Sequence, residues 1–116
     1  MSGAAIRVDG RRHALDLLVA DSVLARARGL LLRRQVTMPD AVLLTPCRAI
    51  HTFGVNAPID VAFTAADGAV IRVLANLPPW RVRVCAEAHC TWEFRAGLAR
   101  VLAIRPGTRL LLEAPR

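Results

Sequence analysis

The chain has 116 residues, close to the commonest size of a single domain, and 54% of them are hydrophobic, a composition that argues against intrinsic disorder. We therefore expect one domain over residues 1–116. The formal net charge is +7, but the sixteen cationic residues, all arginines, are spread along the chain, and only 4% of residues are aromatic. A nucleic-acid binder usually has a clustered basic patch and rings for base stacking, so nucleic acid is not an expected partner.

The N-terminal segment does not have the pattern of a signal peptide, because Asp9, Arg11, Arg12 and Asp16 interrupt its apolar residues. No apolar run reaches the roughly 18 residues that a membrane-spanning helix needs. The sequence therefore predicts no membrane span and a cytoplasmic location, where cysteines stay reduced.

The first half of the chain predicts a hairpin, a helix and one buried strand. The hairpin joins residues 6–8 to residues 15–19 through the Asp9-Gly10 turn signal. Apolar residues at helical spacing (23, 24, 27 and 31) after Asp21 or Ser22 predict a helix, which Gly29 either interrupts or ends. Residues 41–44 are apolar, and Thr45 and Pro46 follow them. This pattern suits a short strand over residues 41–45 that ends at Pro46, because proline cannot donate a hydrogen bond to a neighbouring strand.

The second half alternates short strands with turns. Predicted strands cover residues 49–52, 59–64, 69–77, 81–84, 91–94 and 109–113, and residues 97–104 suit a short helix. Trp80 is expected at an edge or rim, where it lines a groove or anchors a loop, and Trp92 is expected in the core. The pattern predicts a mainly-β fold, either a small β-sandwich or a partly open barrel of about seven to nine short strands, with one or two short helices.

Several segments resemble a known protein family. They are Arg28-Gly29-Leu30 with Arg33 (similar to an Arg-Gly-Leu-x-x-Arg element), residues 58–63 (similar to a Pro-Leu-Asp-Ile-x-Phe core), the Asp67-Gly68 turn, and then Glu93, Gly97 and Pro106-Gly107. In this order they resemble the domain of unknown function 192 family over residues 18–112. Cys47, Ile50, His51 and Thr52 look like a branch with Cys-x-x-Ile-His-Thr. The resemblance implies a compact β-rich fold and no established activity, and many relatives look exported.

His51 is the first candidate for chemistry. Its pKa near ~6.5 suits proton transfer, and Asp60 is close enough in sequence to orient its ring in a small hydrolase-like enzyme. The alternative is a packing role for the ring of His51, because the family that the chain resembles usually has tryptophan at this position. Asp60 itself either accepts from His51 or holds Arg28 or Arg33. Its structural alternatives are to bind backbone amides of the Asn56-Ala57-Pro58 turn or to pair with an arginine that locks the helix onto the sheet.

A binding site is the second candidate. Arg28 and Arg33 suit an anion, and together with His51, Thr52 and Asp60 they form the predicted site. The alternative for the arginine pair is structural, with Gly29 ending a helix while one arginine pairs with a buried carboxylate.

Cysteine and histidine side chains raise two further hypotheses. Cys47, His51, Cys85, His89 and Cys90 are ligand types that suit zinc, although no Cys-x-x-Cys pair is present. Cys47 could also act as a nucleophile with His51 as its base, provided that the chain bends at Arg48, since four residues of strand span roughly 13 Å.

The function expected from the sequence is that of a small binding or accessory module, with the hydrolase-like enzyme and the metal-binding module as alternatives. No cofactor is expected. The expected partner is an unspecified protein or small molecule.

Overall fold

The computed structural model describes residues 5–20, 39–53 and 57–113. Within these ranges the chain forms ten strands and one short helix: β1 (Ala5–Val8), β2 (Arg11–Ala14), β3 (Leu17–Ala20), β4 (Ala41–Leu44), β5 (Ala49–His51), β6 (Ile59–Thr64), β7 (Val70–Leu77), β8 (Val82–Val84), β9 (Cys90–Arg95), α1 (Leu98–Val101) and β10 (Leu110–Glu113). The mainly-β prediction is confirmed, with ten strands in open sheets and no closed barrel among the described residues. The predicted first helix lies outside the described residues.

The strands form three sheets. The largest has the order β3-β4-β9-β6-β7, a second has the order β10-β1-β2, and β5 pairs with β8 as a separate two-stranded ribbon. Only β3 and β4 run parallel; every other neighbouring pair is antiparallel. An isolated bridge between Ala69 and Arg109 links the ends of the two larger sheets.

The first hairpin differs from its prediction. Asp9 and Gly10 both have positive φ, 50° and 83°, which is the conformation of a two-residue type I′ turn. Such a turn pairs the residues directly beside it, so Val8 faces Arg11 and the returning strand is β2, not residues 15–19. The predicted partner segment instead supplies β3, which enters the five-stranded sheet.

The five-stranded sheet is buried on both faces. In β4, Ala41 and Leu43 pack toward β1, β10 and α1, whereas Val42 and Leu44 pack into a second cluster that includes Ile50 of β5. Strands buried on both faces read as continuous apolar runs, which explains why β4 and β6 lack polar alternation in the sequence. The ribbon β5–β8 therefore covers one side of the sheet, and β1–β10 with α1 covers the other.

The helix α1 is short. It has four residues, and in the described part of the chain no helix is long and apolar enough to cross a membrane.

Candidate functional site

Asp60 is the second residue of β6 and is 1% exposed. Its Oδ2 accepts hydrogen bonds from the backbone N–H groups of Gly97 (2.9 Å) and Ala99 (3.0 Å), and its Oδ1 accepts one from Asn76 (2.8 Å). Three amide donors compensate a buried carboxylate for the water it has lost. Asp60 thereby links α1 and β7 to the start of β6.

The backbone around Asp60 is shaped to present these amides. Asn76 has φ 56° beside a register shift between β6 and β7, a bulge that turns its amide toward the carboxylate. Gly97 has φ 90°, a conformation that side-chain-bearing residues rarely adopt, and it directs its own N–H to Asp60 before α1 begins. The post-proline aspartate is therefore built into the fold as a structural anchor.

His51 lies elsewhere, on the exposed face of the ribbon. Its ring contacts Phe53, with centroids 5.2 Å apart, and no hydrogen bond joins it to Asp60 in the described structure. The hypothesised His51–Asp60 pair is not formed, because the carboxylate faces α1 on the opposite side of the sheet from the ribbon. A histidine without an orienting carboxylate has lost the feature that suggested general-base catalysis.

Thr52 follows His51 and is completely buried. Its Oγ1 donates to the carbonyl of Pro78 (2.8 Å) and accepts from the N–H of Arg81 (2.9 Å). The backbone of Thr52 adds two more bonds, donating to the carbonyl of Arg81 and accepting from the N–H of Trp80. Thr52 thus clamps the loop of residues 78–81 onto the end of β5.

The clamped loop holds Trp80 in an unusual position. Trp80 has φ 65°, which is rare for a bulky residue, and its side chain is 68% exposed. Its ring contacts Phe53, with centroids 5.5 Å apart. Non-glycine residues held at such angles cost of order 1–3 kcal/mol each and cluster at functional sites.

The exposed face of the ribbon is therefore apolar and aromatic. Val82 pairs with His51 across the two strands and Val84 pairs with Ala49, so all four side chains share this face. Phe53 is 41%, Val82 51% and Val84 59% exposed. We call this surface the aromatic ribbon and define it as His51, Phe53, Trp80, Val82 and Val84.

Three arginines, Arg48, Arg81 and Arg83, lie in or beside the strands of the aromatic ribbon. Arg81 and Arg83 donate to backbone carbonyls of the loop and of β8. Among the described residues, no carboxylate pairs with any of the three. The strands β5 and β8 contain no acidic residue, and Glu87 follows in the next turn, so the local charge is positive.

The cysteines do not assemble a metal centre. Over residues 5–20, 39–53 and 57–113, no three His, Cys, Asp or Glu side chains lie close enough to hold a metal ion. The thiol of Cys47 donates to the carbonyl of Ala49, and that of Cys90 lies 3.1 Å from Thr45 Oγ1. All three cysteines are thiols in the structure, and Cys47 makes no described contact with His51 of the kind a nucleophile and its base would need.

The structure thus separates the predicted site residues. His51 and Thr52 lie together on the ribbon, Asp60 lies beneath α1, and Arg28 and Arg33 are outside the described residues. Sequence reasoning did not include Phe53, Val82 or Val84 among the site residues. The signal available was the Arg81-Val82-Arg83-Val84 alternation, which is typical of a half-exposed strand, and in the structure its valines are the exposed side chains.

One family model matches this chain over residues 4–112. Its description is "Uncharacterized ACR", domain of unknown function 192 (DUF192). The chain belongs to the DUF192 family. The DUF192 description carries no activity, and the finer resemblance to a Cys-x-x-Ile-His-Thr branch stays a prediction.

Solved structures with a similar fold come from several bacteria. A protein of unknown function from Novosphingobium aromaticivorans is 23% identical with TM-score 0.74, covering 92% of this chain and 81% of its own. A putative transcription regulator from Sinorhizobium meliloti is 24% identical with TM-score 0.78, covering 96% and 95%. A putative exported protein from Burkholderia pseudomallei is 21% identical with TM-score 0.50, covering 95% of this chain and 25% of its own.

At these identities the likeness establishes the fold alone. No curated protein matches the chain.

Proposed function

We propose that this DUF192 protein is a binding module whose docking surface is the aromatic ribbon, and that its partner is an acidic segment of another protein with an aromatic or aliphatic anchor. The observation that carries the proposal is Trp80, a largely exposed indole held at a positive φ by the Thr52 clamp. A fold gains nothing for its own stability by presenting a tryptophan to water in a strained conformation.

The composition of the surface suits a protein interface. Three contacting rings and two exposed valines share one face of the ribbon. Tryptophan and arginine are enriched among the residues that dominate binding energy at interfaces, and both types are present here. Because the ribbon is fixed to the sheet by Ile50 and Thr52, docking would require little ordering of the module.

The ring geometry favours a protein segment over nucleic acid. The three rings tilt by 33° and 32° to one another and are in contact, so they cover part of each other's faces. Single-stranded nucleic acids stack their bases on separate, accessible ring faces. Aliphatic Val82 and Val84 continue the surface and match apolar side chains better than bases.

Charge selects an acidic partner. Arg48, Arg81 and Arg83 have no described carboxylate partner, and the whole chain carries a formal charge of +7. Carboxylates flanking an apolar anchor would meet the guanidinium groups of Arg48 and Arg81, which are exposed and lie just before β5 and β8. Arg83 instead pairs with Ile50 on the other face of the ribbon. Charge pairs at the edge of an interface raise association rates and specificity. Such binding should weaken as salt is added.

The test is selection of a random peptide display library on the wild-type protein, followed by titration of selected synthetic peptides. We expect an excess of Asp and Glu around an aromatic or aliphatic anchor. Val82→Ser should weaken the binding of these peptides about tenfold, since burial of an exposed valine side chain contributes about 1.5 kcal/mol or more. The matched control is Val101→Ser on α1, which makes the same substitution at a valine exposed on another surface.

Three outcomes would overturn the proposal. They are selected peptides without acidic excess, equal losses for the Val82 and Val101 variants, or tighter binding of an oligothymidylate than of any selected peptide. The last result would identify the ribbon as a base-stacking surface instead.

A further inference from the structure

A cavity of about 350 Å³, open to solvent on one side, lies between the edge strand β7 and the helix α1 with the turn that follows it. Val73 and Ala75 of β7 form one wall, and Ala99, Ala103 and Ile104 form the other. The volume falls in the range of small-molecule sites, roughly 300–1,000 Å³, and the lining is almost wholly apolar. It uses none of the residues of the aromatic ribbon.

The cavity is held open by backbone geometry. Asp60 binds the N–H of Ala99, which fixes the helix wall to the sheet. After α1, the N–H of Ala103 bonds to the carbonyl of Arg100 and the N–H of Ile104 bonds to the carbonyl of Ala99. With Ala103 at φ 57°, these two bonds form a Schellman motif, a defined helix end. Three of the lining residues are alanines, whose short side chains leave the space between the walls unfilled.

Two arginines complete the lining. Arg100 and Arg105 are the charged residues of the cavity wall, and both are exposed. The ion pairs described in the structure engage Arg7, Arg12, Arg95 and Arg109, so neither cavity arginine has a carboxylate partner among the described residues. A guanidinium group recognises a carboxylate through paired N–H donors.

We propose that this cavity binds a small amphipathic carboxylate, with its apolar tail against Val73, Ala75 and Ile104 and its head group at Arg100 and Arg105. Apolar contact supplies affinity in proportion to the area removed from water, and the arginines fix the orientation of the ligand. The occupant follows from the charge: an uncharged tail would leave the arginines unused, and a cation would be repelled.

The experiment is titration of the intact protein with octanoate, followed by two-dimensional NMR of the backbone amides. We expect saturable shifts centred on Ala75 and Ile104. Octanol, which has the same tail without charge, should bind about tenfold more weakly, as should octanoate to Arg105→Gln. The control Arg11→Gln removes the same charge from an exposed arginine of β2 that has no described ion pair, and it should leave affinity unchanged.

A second variant tests the cavity itself. Ala75→Leu places a larger side chain in the space and should weaken octanoate binding about tenfold or more, whereas Ala66→Leu in the β6–β7 turn should not. Equal affinities for octanoate and octanol, equal losses in Arg105→Gln and Arg11→Gln, or shifts that never saturate would each overturn the cavity proposal. None of these results would bear on peptide binding at the aromatic ribbon.

Discussion

Asp60 and the aromatic ribbon are opposites in their surroundings. Asp60 is a charged group in the interior, and three backbone amides satisfy it. The ribbon is an apolar surface in solvent, and one of its residues has a strained backbone. Both features break the usual rule of where polar and apolar groups lie in a folded protein.

The two regions differ in whether contacts within the chain account for the unusual placement of the side chain. The carboxylate of Asp60 joins β6, β7 and α1, so its burial is explained within the chain itself. In the described fold, no contact offsets the free-energy cost of exposing Trp80 in a strained conformation. We therefore attribute its position to contact with a binding partner. A residue type that suggests chemistry is here a part of the scaffold, and residues that suggest packing form the candidate interface.

The largest effect is expected at Asp60. Asp60→Asn places an amide N–H₂ where a carboxylate oxygen now accepts hydrogen bonds, so at least one backbone N–H meets a donor. We expect the free energy of unfolding to fall by about 3–5 kcal/mol, because a buried charged acceptor with several partners is lost. Urea denaturation measures this loss, and Asp67→Asn in the exposed turn is the matched control, expected to change stability by less than about 1 kcal/mol. A loss at Asp60 as small as that of the control would remove its role as anchor.

The Thr52 clamp should come next. Thr52→Val keeps the shape of the side chain but removes the hydroxyl group that bonds to Pro78 and Arg81. We expect a loss of about 1–3 kcal/mol, since the two hydrogen bonds made by the hydroxyl group, to the Pro78 carbonyl and from the Arg81 N–H, are both lost. Hydrogen exchange at the Arg81 amide should accelerate, and Thr52→Ser should restore most of the protection. An unchanged exchange rate in Thr52→Val would mean that the loop is held without this clamp.

Replacement of Trp80 should separate stability from binding. Trp80→Gly removes an exposed ring and places glycine at φ 65°, where it has no steric penalty. We expect the free energy of unfolding to change by no more than about 1 kcal/mol in either direction, as strain relief opposes the greater chain entropy of glycine. Affinity for the selected acidic peptides should fall about tenfold or more. A large loss of stability would instead make Trp80 a packing residue and weaken the contrast with Asp60.

The smallest effect concerns a surface charge. Arg12, then Arg7, hydrogen-bond to Glu113 across the β10-β1-β2 sheet and hold the pKa of its carboxyl group below the ordinary glutamate value. A lowered folded-state pKa stabilises the protein above the unfolded pKa, and that contribution disappears as pH falls through the folded pKa. At about pH 7, the urea concentration at the unfolding midpoint should therefore be slightly higher for the wild type than for Glu113→Gln. The difference between the two midpoints should become smaller by about pH 3. A gap that does not depend on pH would contradict this assignment.

The sequence predicted those strands and turns whose positions depend on neighbouring residues alone. The continuous apolar run of β6, the Asp67-Gly68 turn and the β-branched residues of β7 lie close to their predicted places. The first hairpin failed because residues 15–19 are more apolar than residues 11–14, and the apolar pattern outweighed the turn geometry in the prediction. The two-residue turn at Asp9-Gly10 decides the pairing, because it places Arg11 directly opposite Val8. The predicted pairing would instead have left residues 11–14 unpaired between the turn and the second strand.

The candidate site was less predictable because it depends on tertiary placement. Asp60 was recognised as a residue that needs partners, but its donors at Asn76, Gly97 and Ala99 are far along the chain and belong to the backbone, which has no sequence signature. The alternation in β8 shows which residues share a face, but it does not show which face meets solvent. For Val82 and Val84 that depends on the docking of Ile50 into the core from the other strand of the ribbon.

The contrast between the two tryptophans offers a practical consequence. Trp92 is 2% exposed and stacks on Phe94 in the core, whereas Trp80 lies in solvent. These are the only two indoles in the chain. Intrinsic fluorescence of unlabelled protein therefore contains one emitter that should respond to partner contact at the surface and one that should respond to opening of the interior, and a Trp80→Phe or Trp92→Phe variant would assign each signal.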